Sequence, residues 1–340
     1  LLVRRAQCSP QAPAYTQFVA ASKTWDTLSW AEAAQIAARW QVGLRQEGLS
    51  PGDRVAVMLK NCREWVYFDQ AALGLGLVVV PIYVGDRADN VAYILEHTEA
   101  QVLLADSFKD WQALAKLGLS LPTLRRVLLL HPPSQPVDDA RVQAVAEWLP
   151  DAGSTAFQAV ELAPNTLATI VYTSGTTGKP KGVMLSHQNI LSNAASGLQA
   201  FEIYPEDRFL SFLPLSHMFE RTVGYYLALM AGAEVVYARS AAQLPDDLKT
   251  RQPTVIISVP RVFERFYTKL HDTLARQSAW RRTLFTWGLF LGWQAFLAKQ
   301  GRGHWGTALL AALGRPLVHR LRQPLLTQLG GRLRLAVCGG

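Results

Sequence analysis

Tyr172–His187 reads YTSGTTGKPKGVMLSH. The apolar, β-branched run Leu167–Val171 leads into it and a polar, then helically spaced segment leaves it from Gln188 onward, so the stretch is predicted to lie where a strand gives way to a helix. Phosphate loops are built at such places. Gly175, Gly178 and Gly182 lack a Cβ and let the backbone approach a ligand, while Thr173, Ser174, Thr176 and Thr177 add hydroxyls to the exposed N–H groups. Lys179 and Lys181 supply positive charge. The loop therefore suits a polyanion, most simply the phosphates of a nucleotide. It is not the Walker loop, because Gly178-Lys179 is followed by Pro180, where that pattern needs the Ser or Thr hydroxyl that binds magnesium.

Working outward, strands alternate with helices. Before the loop, Ser29 with Glu32 three residues on opens a helix carrying Ala33, Ile36, Ala37, Trp40 and Leu44 at helical spacing. Strands are predicted at Arg54–Leu59, Leu75–Val84, Gln101–Ala105 and Arg125–Leu130. Helices are predicted over Asn61–Gly74, Asn90–Thr98, Trp111–Leu117 and Val142–Leu149. After the loop the same alternation gives helices at Asn189–Phe201, Glu220–Met230 and Ala241–Thr250, and strands at Arg208–Leu213, Glu234–Tyr237 and Thr254–Val259. The expected class is α/β, with two packed parallel-sheet subdomains and helices on both faces. Residues 1–150 would form the first subdomain, and residues 151–340 the second, holding the loop 172–183 and a basic apolar insertion at 276–326.

With 49% hydrophobic and 18% charged residues the composition is globular. Cys8, Cys62 and Cys338 are widely spaced and fit no metal-ligand pattern, which points to a reducing cytosol. Residues 261–340 hold thirteen basic and two acidic residues, so the +8 net charge is concentrated there. No nucleic-acid-binding module accompanies this charge, which excludes that class of partner and favours an anionic membrane surface or anionic substrate. Thr283–Ala298 is uncharged over 16 residues, flanked by Arg281-Arg282 and Lys299. It is short of the ~20 residues that a bilayer span needs. Two readings stay open, a helix buried in the fold or facing a partner, and an interfacial helix that dips Trp287, Trp293 and Phe296 into a membrane. The run Leu1-Leu2-Val3-Arg4-Arg5 is too short for a signal peptide, and Leu1 and the strand Leu333–Val337 give the expectation of a chain that starts and stops inside a longer product.

Tyr172–Val183 resembles the signature of the adenylate-forming, AMP-binding superfamily, and Leu213–Gly224 (LPLSHMFERTVG) resembles its long-chain fatty acid-CoA ligases. The similarity runs from Leu28-Ser29-Trp30 to Cys338-Gly339-Gly340, and implies the amino-terminal portion of such an enzyme. It further implies attack of a fatty acid carboxylate on the α-phosphate of ATP, then transfer of the acyl group to coenzyme A, with Mg2+ as the attendant ion. The resemblance assigns Tyr172, Thr173, Ser174, Gly175, Thr176, Thr177, Gly178, Lys179, Lys181 and Gly182 to the phosphates, Thr176 to the magnesium side, and Gly339 and Gly340 to the pocket wall. It places His217 at the carboxylate and adenylate, with Met218 and Phe219 lining an acyl channel, beside the aromatic Tyr225 and Tyr226. Glu220 and Arg221 are read as structural. The family's later Tyr-Gly-x-Thr-Glu segment, ribose-binding aspartate and carboxyl-terminal lysine are absent, so this stretch alone is expected not to turn over. Alternatives are an aryl- or amino-acid-activating relative, or a non-catalytic acyl- or membrane-binding derivative.

Overall fold

The structure, a computed structural model, describes residues 1–133, 137–151, 156–173, 179–302 and 314–339. The chain divides into two compact units, Leu1–Ala241 and Ala242–Gly340. In chain order the first unit holds α1 (Leu2–Cys8), β1 (Pro13–Val19), β2 (Thr24–Ser29), α2 (Trp30–Gln46), β3 (Arg54–Met58), α3 (Arg63–Gly74), β4 (Val78–Pro81) and α4 (Ala88–His97). Then come β5 (Val102–Ser107), α5 (Phe108–Ala115), β6 (Arg126–His131), β7 (Val142–Ala144), α6 (Val145–Trp148), β8 (Leu167–Thr173), β9 (Lys181–Ser186) and α7 (His187–Ala200). β10 (Arg208–Ser211), a π-helix at Glu220–Tyr226, α8 (Leu227–Ala231) and β11 (Glu234–Tyr237) complete it.

Seven strands in the order β7-β6-β5-β3-β4-β8-β9 form one sheet, and β10, β11, β1 and β2 lie side by side in another. The class is α/β, as expected, but the sheets are mixed rather than parallel. β9 runs antiparallel to β8, and β2 antiparallel to β1. The reason is connection length: residues 20–23 and 174–180 are too few for a parallel crossover, which takes about a dozen residues or more. Strands from both sides of residue 150 share each sheet, since β8 and β9 close the one that β3 to β7 build, and β1 and β2 extend the one that holds β10 and β11. Residues 142–149, expected as a helix, begin as β7 paired with β6 and turn helical only at Val145.

Helix α2 starts as its sequence dictates, with Ser29 and Glu32 closing a capping box and Ala33, Ala37, Trp40 and Leu44 buried. α3 is different, because Trp65, Val66, Tyr67, Phe68, Asp69 and Gln70 are all buried. A helix buried all round must be a central layer, and α3 packs on β3 and β4 of one sheet and on β1 of the other. Burying Trp65 and Phe68 fully contributes roughly 1.5–3 kcal/mol apiece. α3 thereby brings two polar residues, Asp69 and Gln70, into the interior.

The second unit holds α9 (Leu244–Arg251), β12 (Val255–Ser258), α10 (Pro260–Ala275), α11 (Ala279–Lys299), α12 (Arg315–Gln328) and β13 (Leu335–Cys338). β12 and β13 pair in parallel. Gly330 turns the chain between α12 and β13 at φ +91°, and a Cβ there would stand 2.3 Å from the Leu248 carbonyl oxygen. α11 packs on α10 and α12 and buries Phe285 and Leu291, while Leu289, Phe290, Trp293 and Phe296 are exposed. Among the described residues no helix is long and apolar enough to cross a membrane.

Candidate active site

The quoted stretch is a hairpin, not a strand-to-helix turn. β8 and β9 pair from Leu167↔Ser186 to Thr173↔Lys181, and the helix starts only after β9, where Ser186 and Asn189 form its capping box. The helix N-terminus therefore stands at the far end of β9 from the loop. Ser174, Gly175, Thr176, Thr177 and Gly178 lie outside the described residues, as does Gly340. The two ends of the loop are described. Thr173 and Lys181 face each other across the hairpin and are exposed, as is Lys179.

Tyr172 is 7% exposed and belongs to the core under this sheet, with Met58, Val80, Ile82 and Leu95. Its hydroxyl lies 2.6 Å from Nδ1 of His97 on α4. Burial, then the Tyr93 ring nearby, pushes the phenol up to about 12, so it stays protonated at neutral pH. Gly182 sits opposite Tyr172. A Cβ at Gly182 would meet Ile170 Cγ2 at 2.9 Å and the Tyr172 ring at 3.1 Å. The sequence reading gave this glycine to ligand clearance, whereas the structure gives it to the side chains of the neighbouring strand.

β9 leads from the loop directly into a cleft of about 690 Å³, lined by Leu185 of β9, Ile190 and Asn193 of α7, and Met218, Phe219 and Val223. Met218 and Phe219, which the resemblance places in an acyl channel, are among the residues lining this cleft. Exposed Asn189, Ser192, Asn193 and Ser196 of α7 add a polar stripe at helical spacing to the lining. His217 is exposed and is not among the lining residues described; its Nδ1 accepts the Phe219 N–H at 3.2 Å, which leaves Nε2 to carry the proton of the neutral ring.

The loop bearing His217 is pinned by Asn61, just past β3. Asn61 Nδ2 donates to Ser211 Oγ at 2.8 Å and to the Leu213 carbonyl at 2.6 Å, and its Oδ1 accepts the Leu215 N–H at 2.9 Å. The π-helix follows. Such helices are rare and recur at functional sites, and this one turns Glu220 and Arg221 into the interior. Arg221 is fully buried and forms an ion pair with Asp69, itself fully buried, while its Nη1 donates to Thr169 Oγ1 of β8 at 2.8 Å. Glu220 accepts from Ser211 Oγ at 2.7 Å, its other oxygen finds no partner among the described residues, and burial pushes its carboxyl up to about 8.

Tyr225 and Tyr226 are not among the described residues that line this cleft. Both are buried, and both hydroxyls donate to Asp69 Oδ2 at 2.9 Å. Asp69, Asn61, Thr169, Tyr93 and His97 were missed in the sequence because each acts on a partner far along the chain; a polar residue inside the all-apolar burial pattern of α3 was the one available signal. Gly339 lies in the second unit, where its N–H donates to the Ser258 carbonyl at 3.3 Å.

Residues 2–340 match the family described as AMP-binding enzyme. Over 319 residues the chain is 32% identical to the long-chain-fatty-acid–CoA ligase FadD15 of Mycobacterium bovis, across 93% of this chain and 52% of that protein. It is 32% identical over 254 residues to fatty acyl-CoA synthetase A of Dictyostelium discoideum, across 72% of this chain and 38% of that protein. The chain spans about half or less of the length of these curated relatives. Among solved structures, the inhibitor-bound N-terminal domain of FACL13 from Mycobacterium tuberculosis is similar with a TM-score of 0.66 at 25% identity, over 77% of this chain and 63% of that one. ATP-bound MatB from Rhodopseudomonas palustris shares the fold with a TM-score of 0.64 at 24% identity, over 78% of this chain and 49% of that one. An α/β frame of two mixed sheets, a Ser/Thr/Gly/Lys hairpin loop and a family match over almost every residue agree: the chain belongs to the AMP-binding enzyme family.

Proposed function

We propose that the protein to which this chain belongs is a long-chain fatty acid-CoA ligase. A carboxylate oxygen of the fatty acid attacks the α-phosphorus of ATP, the bond from that phosphorus to the bridging oxygen breaks, and pyrophosphate leaves. The thiol of coenzyme A then adds to the acyl carbon, AMP leaves with the former carboxylate oxygen, and the thiol proton passes to the medium. The observation that carries this reading is one continuous strand: β9 begins at the loop that would hold the phosphates, with Lys181, and ends as a wall of the cleft that Met218 and Phe219 line. A chain threaded that way sets an acid next to a nucleotide, which is the positioning that such a reaction needs.

In this scheme the loop from Thr173 to Lys181 holds the β- and γ-phosphates, and Lys179 and Lys181 offset the charge that develops on pyrophosphate. Mg2+ would accompany ATP, and the resemblance assigns the Thr176 hydroxyl to it. His217 borders the carboxylate. Met218, Phe219, Leu185 and Val223 take the hydrocarbon next to it, and no carboxylate among the lining residues described awaits an ammonium group. ATP–pyrophosphate exchange by the full-length gene product, with dodecanoate, palmitate, benzoate and amino acids, tests the reading. Fatty acids are expected to support exchange best. Preference for an amino acid or benzoate would move the protein to another subtype, and no exchange with any acid would favour a non-catalytic acyl-binding derivative.

The water-insoluble substrate and the exposed aromatic residues of α11 suggest a membrane as its source. Trp287 and Trp293 are 58% and 57% exposed, and the unit carries most of the chain's excess positive charge. Exposed aromatic residues beside arginines suit an anionic head-group layer. Co-sedimentation with anionic vesicles should exceed that with neutral ones and fall as salt rises, because such attraction is screened over about 8–10 Å. Equal recovery with both, or none with either, would remove the membrane from the scheme.

A further inference from the structure

Both ends of the loop meet the same face of α4. Tyr93 and His97 are four residues apart, so their rings share that face, and they stack with centroids 5.2 Å apart at 12°. At one end of the loop, the last buried residue of β8, Tyr172, places its hydroxyl 2.6 Å from His97 Nδ1 and meets both rings edge-on, at 6.0 and 6.3 Å. At the other end, the exposed Lys179 holds its ammonium 4.8 Å from the centre of the Tyr93 ring. Cross-strand packing supports the same corner, since Gly182 leaves room for the Tyr172 ring. None of these contacts is needed to close the hairpin, whose backbone pairing already runs to Thr173↔Lys181.

We propose that Tyr93 and His97 are positioning residues for the nucleotide loop: His97 fixes Tyr172 at its entry, and the Tyr93 ring steadies the Lys179 ammonium at its exit, so the lysine faces phosphate from a held place. The inference rests on the nucleotide reading above. The ring attracts the ammonium weakly at an exposed position, so it restrains Lys179 without competing against a polyphosphate, to which the same ammonium binds far more strongly.

Two measurements test it on the full-length protein. The first is the equilibrium dissociation constant for ATP. Tyr93→Leu keeps an apolar side chain but loses the ring face, and it should weaken ATP binding about two- to fivefold, the worth of one exposed cation–π contact. Tyr93→Phe should restore wild-type affinity. In a Lys179→Met background, which leaves the core untouched, Tyr93→Leu should add nothing. A purely structural role would instead lower the melting temperature and persist in that background. The second measurement needs no nucleotide: the rate of trypsin cleavage after Lys181, the Lys179–Pro180 bond being resistant. Tyr93→Leu and His97→Leu should each raise it severalfold, and Tyr93→Phe should not. Folded Leu variants that cleave like wild type would overturn the proposal, as would an unchanged ATP constant in a wild type that binds ATP. If wild type binds no ATP yet the cleavage rates respond as expected, the loop restraint stands and the nucleotide reading fails.

Discussion

Replacing Asp69 with alanine removes the acceptor on which three buried side chains of the first unit converge. Asp69 and Arg221 are each 0% exposed, so in the variant a guanidinium stays in the interior with no counter-ion. Breaking a buried pair from one side costs about 3–5 kcal/mol. Tyr226 loses its one acceptor, at about 1–3 kcal/mol for a stranded buried donor. Tyr225 loses the same donor bond and keeps only the one its oxygen accepts from Gln70 Nε2 at 2.5 Å. A loss of at least about 4 kcal/mol is therefore expected, a large share of the 5–15 kcal/mol that holds a typical domain. Urea unfolding followed by tryptophan fluorescence measures the loss, and Trp65, 5.1 Å from the Arg221 guanidinium, is one of the ten tryptophans that contribute to the signal. The control is the pair Asp69→Leu with Arg221→Met, which removes both charges and fills the space with carbon. It should recover much of the loss, because the cost lies in the orphaned charge more than in the missing contact. A cost below about 1 kcal/mol for Asp69→Ala, or a double variant as unstable as the two single losses added together, would refute this account of the interior.

Glu220 titrates near 8 in the fold because it is buried, and near 4.3 when unfolded. Between those values the folded protein keeps a proton that the unfolded chain has lost, so this group's contribution to stability is complete below about pH 4.3 and is lost as pH rises through about 8. Glu220→Gln should flatten that decline and be more stable than wild type above pH 8 in parallel denaturation curves; an unchanged slope would show the carboxyl to be ionised in the fold. Gly182→Ala places a methyl 2.9 Å from Ile170 Cγ2 and should cost about 1–3 kcal/mol by overpacking, read as a lower melting temperature, and neutrality would mean that Tyr172 yields freely. Lys181→Ala, on an exposed position at the loop's exit, should weaken ATP binding with the melting temperature unchanged, and equal affinity would remove Lys181 from the phosphates. Ser29→Ala deletes the cap of α2 and should cost about 1 kcal/mol in urea, with no effect on nucleotide binding.

What was legible in the sequence was whatever repeats locally. The spacing of Ala33, Ala37, Trp40 and Leu44 is a property of one helix, and it gave α2 with its cap. The apolar runs gave β3, β5, β6 and β11 within a residue or two. The direction of β9 was not legible, because KGVMLS buries none of its residues and shows no in-out alternation, and a half-polar run before Gln188 reads equally as the approach to a helix. Glu220–Tyr226 was read at the α period, and only the tertiary partners of Glu220 and Arg221 show why the coil widens there.

The deeper limit is that the site is held by pairs with no sequence proximity. Arg221 was read as structural for lack of an identified partner, and its acid lies 152 residues earlier, on a helix that packs against both sheets. Asn61 reaches 150 residues ahead to Ser211. A buried charge is tolerated only beside its partner, so Arg221, in a helix buried at nearly every position, demands an acid somewhere in the interior. Asp69, set among Trp65, Tyr67, Phe68, Ala71 and Ala72, makes the matching demand from α3. Each demand is visible alone, but pairing them requires knowing that α3 is the layer between the sheets. That follows from its burial on every side, a property no single face of its sequence displays.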